Sequence, residues 1–100
     1  MKKDPENMTE SERQRYYYLR ERYLNKNFGI TLSQYDVQIL RQEGKCLVCL
    51  STSPLPLVVD VSKDGKKRGL LCNRCRLGIS YFNDDVLILQ KAIEHINHFT

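Results

Sequence analysis

Apolar positions along the chain change spacing from helical to strand-like and back, and each stretch predicts its own element. In the N-terminal third they recur at helical intervals among charges: Tyr16, Leu19 and Tyr23 sit in a stretch rich in Arg and Glu. Thr9 and Glu12 precede this run at the spacing of a capping box, in which two side chains satisfy free backbone N–H groups, and Gly29 can end it. The pattern predicts a first helix over about 10–26, behind a disordered tail over residues 1–8. A second, shorter helix follows, with Ser33 as its expected N-cap, Asp36 three residues on, an apolar side of Tyr35, Val37, Ile39 and Leu40, and Gly44 as its end.

In the middle of the chain the pattern changes to a β-branched run, followed beyond a turn signal by a second short segment. Leu57-Val58-Val59-Asp60-Val61 and Lys66-Lys67-Arg68-Gly69-Leu70-Leu71 flank Asp64-Gly65, a dipeptide that favours tight hairpin turns. They predict a β-hairpin across about 57–71, with a short helix over Asn73–Ile79 behind it. In the last third Val86, Leu89, Ile93 and Ile96 fall on one helical face, joined by Ala92 and Phe99. Asp84 and Asp85 sit where carboxylates favour the positive end of a helix. This helix is expected to close the core. No internal repeat, low-complexity run or linker interrupts the order, so the expectation is one domain over 9–100.

Composition adds a constraint. The chain has 100 residues, 41% of them hydrophobic and 28% charged, which is the range of globular domains. A chain of this length buries only ~65% of the surface it exposes when unfolded, so a staple is expected. Four cysteines supply one. Cys46, Cys49, Cys72 and Cys75 form two Cys-x-x-Cys pairs separated by 22 residues. The N-terminal residues are polar, with no apolar run of signal-peptide type, and the longest apolar stretch is broken by Pro56 and Asp60 and is too short to span a bilayer. The reading is therefore a cytoplasmic chain with no membrane partner. There thiols stay reduced, and paired cysteines read as metal ligands rather than disulfides. Two Cys-x-x-Cys turns complete a tetrahedron of four thiolates around one structural Zn2+ and leave no open position for water. Lys45 and Arg74, beside the ligands, offset excess negative charge.

The formal net charge is +4, and a dication held by four thiolates lowers it by two. That bulk value does not point to a partner, but the distribution does. Between Val61 and Arg76 the chain carries Lys63, Lys66, Lys67, Arg68, Arg74 and Arg76 against Asp64 alone. Such a cluster suits phosphate contacts, which give salt-dependent and largely sequence-independent affinity; the alternative is a solvated face. His95 and His98, three apart on the last helix, have no third metal ligand near them in sequence.

An ordered set of motifs carries a family resemblance. Tyr18-Leu19-Arg20-Glu21-Arg22-Tyr23, Phe28-Gly29-Ile30-Thr31, Tyr35-Asp36, Gly44-Lys45-Cys46-Leu47-Val48-Cys49, Lys67-Arg68-Gly69-Leu70-Leu71-Cys72-Asn73-Arg74-Cys75 and Leu77-Gly78 together resemble the phage recombination endonuclease VII family of His-Me finger (ββα-metal) nucleases. The resemblance covers about residues 16–99. It implies an α+β fold: a small zinc-stapled ββα core, two N-terminal helices and a C-terminal closing helix. It also implies a site in which the hairpin's first strand offers a metal-binding Asp and a general-base His, and an Asn directly after the fourth Cys completes the metal shell. Asp60 matches that Asp. The two His positions fall on Val61 and Lys63, and the Asn position falls on Arg76. Since His95 and His98 are the only histidines, no shift of alignment places one in the strand.

A general base contributes ~10²–10⁴-fold in rate, and a cation in place of a metal-ligating Asn repels Mg²⁺. The expectation is a degenerate active site with Asp60 as its remnant and no hydrolysis. Three readings follow. The chain is a non-catalytic, phage-encoded module binding DNA through Lys63, Lys66, Lys67, Arg68, Arg74 and Arg76. Alternatively, it binds and inhibits or redirects a host enzyme such as RNA polymerase or a defence nuclease. The third reading keeps residual metal-dependent endonuclease activity. None involves a small-molecule substrate.

Overall fold

The computed structural model describes residues 7–100, which are α+β: α1 (Glu10–Phe28), α2 (Leu32–Arg41), β1 (Val58–Val61), β2 (Lys67–Leu71), α3 (Asn73–Tyr81) and α4 (Val86–His98). The tail expected over residues 1–8 falls, but for Asn7 and Met8, outside the described residues. The chain divides into two units, Met1–Arg41 and Gln42–Thr100. No described helix is long and apolar enough to cross a membrane.

In the first unit the capping box forms as the sequence predicts. Thr9 Oγ1 accepts from the Glu12 amide, and the Glu12 carboxylate accepts from the Thr9 amide. The helix ends at Gly29, whose φ of 67° is the left-handed conformation that glycine adopts without a Cβ penalty. Its expected apolar stripe is largely solvent-facing, since Leu19 and Tyr23 are nearly half exposed, and Leu24 is the residue of α1 that is buried. α2 starts two residues earlier than Ser33 implies. Thr31 and Gln34 make a second capping box: the Gln34 amide donates to Thr31 Oγ1 at 3.1 Å and the Thr31 amide to Gln34 Oε1 at 2.8 Å. The two helices meet through polar groups as well as Leu24. Glu21 accepts from the Leu32 amide at 2.7 Å, and the Arg20 guanidinium lies 4.8 Å from the centre of the Tyr35 ring.

The second unit is built on the hairpin. Val58 pairs with Leu71, Val59 with Leu70, and Val61 with Lys67. Two residues of β2, Arg68 and Gly69, therefore stand opposite Asp60 alone, which is a β-bulge. Gly69 has φ +95°, a value that a side chain makes costly. The core is small: Leu57, Val59, Leu70 and Leu71 are buried together with Cys46 and Cys72. The buried Gln42 clamps the chain before Cys46 to β2. Its amide donates to Leu70 O at 2.9 Å and Lys45 O at 2.8 Å, and accepts from Leu70 N at 2.9 Å.

α4 lies where the apolar pattern places it, but it buries no residue. Val86, Ile93, Ile96 and Phe99 are each more than half exposed. The expectation that this helix closes the core is thus not met within the described chain. Its first turn also departs from the expectation for Asp84 and Asp85. Asp85 alone caps the helix, accepting from the amides of Leu87 and Ile88. Asp84 turns elsewhere.

Candidate metal centre and carboxylate–guanidinium cluster

The four cysteines come together from two local devices. In the first, the Cys46–Cys49 turn folds back so that the Leu50 amide donates to Cys46 O and the Cys46 amide to Ser51 O, with a bridge between Lys45 and Thr52. The turn requires φ +60° at Leu50, an unusual value for a non-glycine residue. In the second, Cys72 is the N-cap of α3, and its sulfur accepts from the Cys75 amide at 3.4 Å. The positive end of α3 therefore faces sulfur.

All four Sγ atoms lie within 4.8 Å of one another, and Cys49 Sγ is 3.8 Å from Cys72 Sγ. A tetrahedron with metal–sulfur bonds of ~2.3 Å has sulfur–sulfur edges of about 3.8 Å, so the donor set fits one metal ion and is consistent with zinc. Burial raises the Cys46 thiol, but amide N–H groups of Cys49, Cys72 and Val48 outweigh that and bring it down to about 6. Cys75 is pushed up to about 12, by burial first and then by the neighbouring sulfurs. The Ser51 amide lowers Cys49 as well, so the first Cys-x-x-Cys turn favours thiolate, whereas Cys75 resists ionisation. The metal would be held by Cys46, Cys49, Cys72 and Cys75 alone, a closed shell suited to a structural role.

A second charge cluster lies on the hairpin. Asp60 is 4% exposed. Its carboxylate accepts from Arg68 Nε at 2.8 Å and from Arg68 Nη2 at 3.2 Å, and Arg76 Nε lies 3.5 Å away. The bulge at Arg68-Gly69 is what turns Arg68 onto Asp60. The other edge of the same guanidinium takes Asp84, with Nη2 donating at 2.8 Å and Nη1 at 3.2 Å. Hydrogen bonding to Arg68 holds the Asp84 carboxyl below the usual carboxylate range. Bonds to Asp84, then to Asp60, raise the Arg68 pKa still further above its already high value. Asp84 is brought in by a turn in which Asn83 and Asp84 both have φ near +60°.

The six basic residues singled out from the sequence therefore divide. Arg68 and Arg76 turn inward to carboxylates, while Lys63, Lys66, Lys67 and Arg74 are exposed and make no ion pair among the described residues. Lys45, beside Cys46, is 3.9 Å from Glu43. His95 and His98 are exposed and pack against Phe99, with no third ligand beside them among the described residues. Asp84 and Gln42 are the two residues of this region that sequence reasoning missed. For Asp84 the available signal was the Asn-Asp pair, since these two types tolerate left-handed backbone best after glycine.

No curated protein and no solved structure matches the chain. The family model for recombination endonuclease VII matches residues 21–98, which takes in the last part of α1, all of α2, the four cysteines, the hairpin and Asp84. With the cysteine cluster and the hairpin in place, that match identifies the chain as a member of the recombination endonuclease VII family.

Proposed function

We propose that this chain is a non-hydrolytic member of its family: a module stapled by one structural Zn2+ that binds nucleic-acid phosphates through the hairpin and the start of α3. One observation carries the reading. The carboxylate at the position for which the resemblance implies a divalent cation, Asp60, is already covered by the chain's own Arg68, with Arg76 beside it. A guanidinium neutralises the carboxylate but offers no open coordination site to polarise a phosphoryl oxygen or activate water. Val61 cannot take a proton, and Lys63 is exposed. Around this plugged site Lys63, Lys66, Lys67 and Arg74 remain available to phosphates. We further propose that the chain is phage-encoded and acts in a bacterial cytoplasm, in keeping with the family it belongs to.

Two assays test this. Supercoiled DNA incubated with the zinc-loaded protein and Mg²⁺ or Mn²⁺ is expected to remain uncut; cleavage abolished by Asp60→Ala would overturn the non-hydrolytic reading. Gel-shift titrations with duplex and four-way-junction DNA are expected to show affinity that falls steeply with salt. Retention of full affinity after Lys63, Lys66 and Lys67 are all changed to Glu would remove the basic face from the interface. A second reading, docking on a host protein, is favoured by the exposed apolar stripe of α4. Capture from host lysate with and without nuclease treatment separates the two.

A further inference from the structure

The two edges of the Arg68 guanidinium are used unequally. The inner edge faces Asp60, whose side chain is 6% exposed and which Arg76 also supports. The outer edge faces Asp84, whose side chain is 23% exposed. Asp84 arrives from the α3–α4 turn on two consecutive residues with left-handed backbone, a conformation that L-residues other than glycine rarely adopt. Such outliers persist where the surroundings hold them: here the Asp84 amide donates to Ile79 O at 3.0 Å, and Arg68 takes the Asp84 carboxylate in a bidentate contact.

The chemistry of that outer edge is that of an anion fork. Two parallel N–H groups of a guanidinium suit two oxygens of a carboxylate or of a phosphodiester alike. The surroundings favour an anion as well: Lys63 and Arg76 both lie close enough to act on Asp84 by charge, and Lys66 and Lys67 are exposed on the same hairpin. We propose that Asp84 is an internal stand-in for a nucleic-acid phosphate: it fills the outer edge of Arg68 in the free protein and yields it to a backbone phosphate of bound DNA. This rests on the nucleic-acid reading above and deepens it. Arg68 stays on Asp60 throughout, so the buried carboxylate is never left without its cation. Binding then frees the α3–α4 turn from the hairpin.

The test is fluorescence anisotropy with a short labelled duplex, from about 50 to about 200 mM salt. Asp84→Asn keeps the size of the side chain, and Asn tolerates the left-handed conformation. It is expected to bind ~3–10-fold tighter at the low-salt end, because the phosphate no longer has to displace a carboxylate, with the salt slope of the unmodified protein, since both complexes make the same phosphate contacts. Asp64→Asn removes the same charge from the hairpin itself, at a carboxylate occupied by Ser62 rather than by a guanidinium. Its gain is expected to stay under ~2-fold with an unchanged slope, because no phosphate has to displace that carboxylate. Adding Arg68→Lys to Asp84→Asn is expected to remove the extra gain, since an ammonium cannot fork. Equal gains from Asp84→Asn and Asp64→Asn would overturn the stand-in role.

A measurement on the unmodified protein guards against a misfolded variant. The Arg68 side-chain N–H resonances are expected to shift on saturation with duplex, and unchanged resonances would overturn the proposal. Salt-dependent binding by the unmodified protein without a gain from Asp84→Asn overturns this inference alone. Absence of duplex binding by both overturns the nucleic-acid reading with it.

Discussion

The Gln42–Thr100 unit contains two clusters of acidic or ionisable groups, and they meet the same electrostatic problem in opposite ways. At the cysteine cluster four sulfurs converge within 4.8 Å and the chain supplies no cation among them. At the hairpin Asp60 and Asp84 converge on one guanidinium, and the cation is built in. Gathered anions fold stably only when their charge is matched in place. The first cluster, once it holds a metal, makes folding depend on something outside the chain. The second is independent of metal, at the cost of the vacant coordination positions that hydrolysis would need. In a family of nucleases, that exchange of an external for an internal cation is the physical content of the non-hydrolytic reading proposed above.

The largest expected effect breaks the first half of this comparison. Removing the metal with a chelator, or changing Cys72 to Ser, is expected to unfold the Gln42–Thr100 unit cooperatively. Structural zinc contributes roughly 10–16 kcal/mol in small modules, more than the ~5–15 kcal/mol that holds a typical domain folded. The core offers little to compensate, with Leu57, Val59, Leu70 and Leu71 as its buried aliphatic residues. Circular dichroism with and without chelator, alongside elemental analysis, checks it. A chelated protein that keeps its hairpin and α3 would show that the sulfurs are not the staple.

The next effect breaks the second half. Arg68→Met leaves Asp60 buried with Arg76 alone at 3.5 Å and is expected to cost about 3 kcal/mol in denaturant unfolding of the zinc-loaded protein. Adding Asp60→Leu should restore most of the loss, because apolar residues often replace a buried ion pair without penalty. The pH dependence has a definite sign. Asp84 has a lowered folded-state pKa, so its contribution is fully present above the ordinary carboxylate pKa of ~3.9 and is lost as pH falls through the lower folded value. Arg68→Met should therefore flatten the acid limb of the stability curve.

The two clusters also differ in how far the sequence discloses them. The thiolate site is legible because its grammar is local: each Cys-x-x-Cys turn places two sulfurs by itself, and only one long-range pairing remains to be guessed. The guanidinium site needs three non-local facts at once. A bulge at Arg68-Gly69 must turn Arg68 onto Asp60, two left-handed residues must aim Asp84, and α3 must carry Arg76 to the same carboxylate. None has a periodic signature, so Arg68 and Arg76 read from sequence as members of a basic run. The α2 cap was legible in Thr31 and Gln34, but Ser33 with Asp36 competes for the same role. The apolar stripe of α4 reads as a core face by periodicity, although periodicity says only that a face is apolar and not what covers it.

The smallest effect sharpens the comparison by asking whether the metal turn is strained as the Asp84 turn is. Leu50 closes the Cys46–Cys49 turn at φ +60° with its side chain 69% exposed. Left-handed backbone costs a non-glycine residue roughly 1–2 kcal/mol, and an exposed side chain recovers little by packing. Leu50→Gly relieves that strain but adds unfolded-state entropy of about 0.4–1 kcal/mol. The balance is a gain of up to about 1.6 kcal/mol in the zinc-loaded protein, read from the denaturation midpoint. Asp84→Gly relieves less strain, since Asp tolerates left-handed backbone better than Leu, and deletes the contact with Arg68, so it is expected to destabilise. Opposite signs at two positions with nearly equal φ would mean that the left-handed residue near the sulfurs is tolerated because the metal overrides its strain, whereas the one at the hairpin is kept for its carboxylate. Equal signs would mean that backbone conformation alone governs both turns.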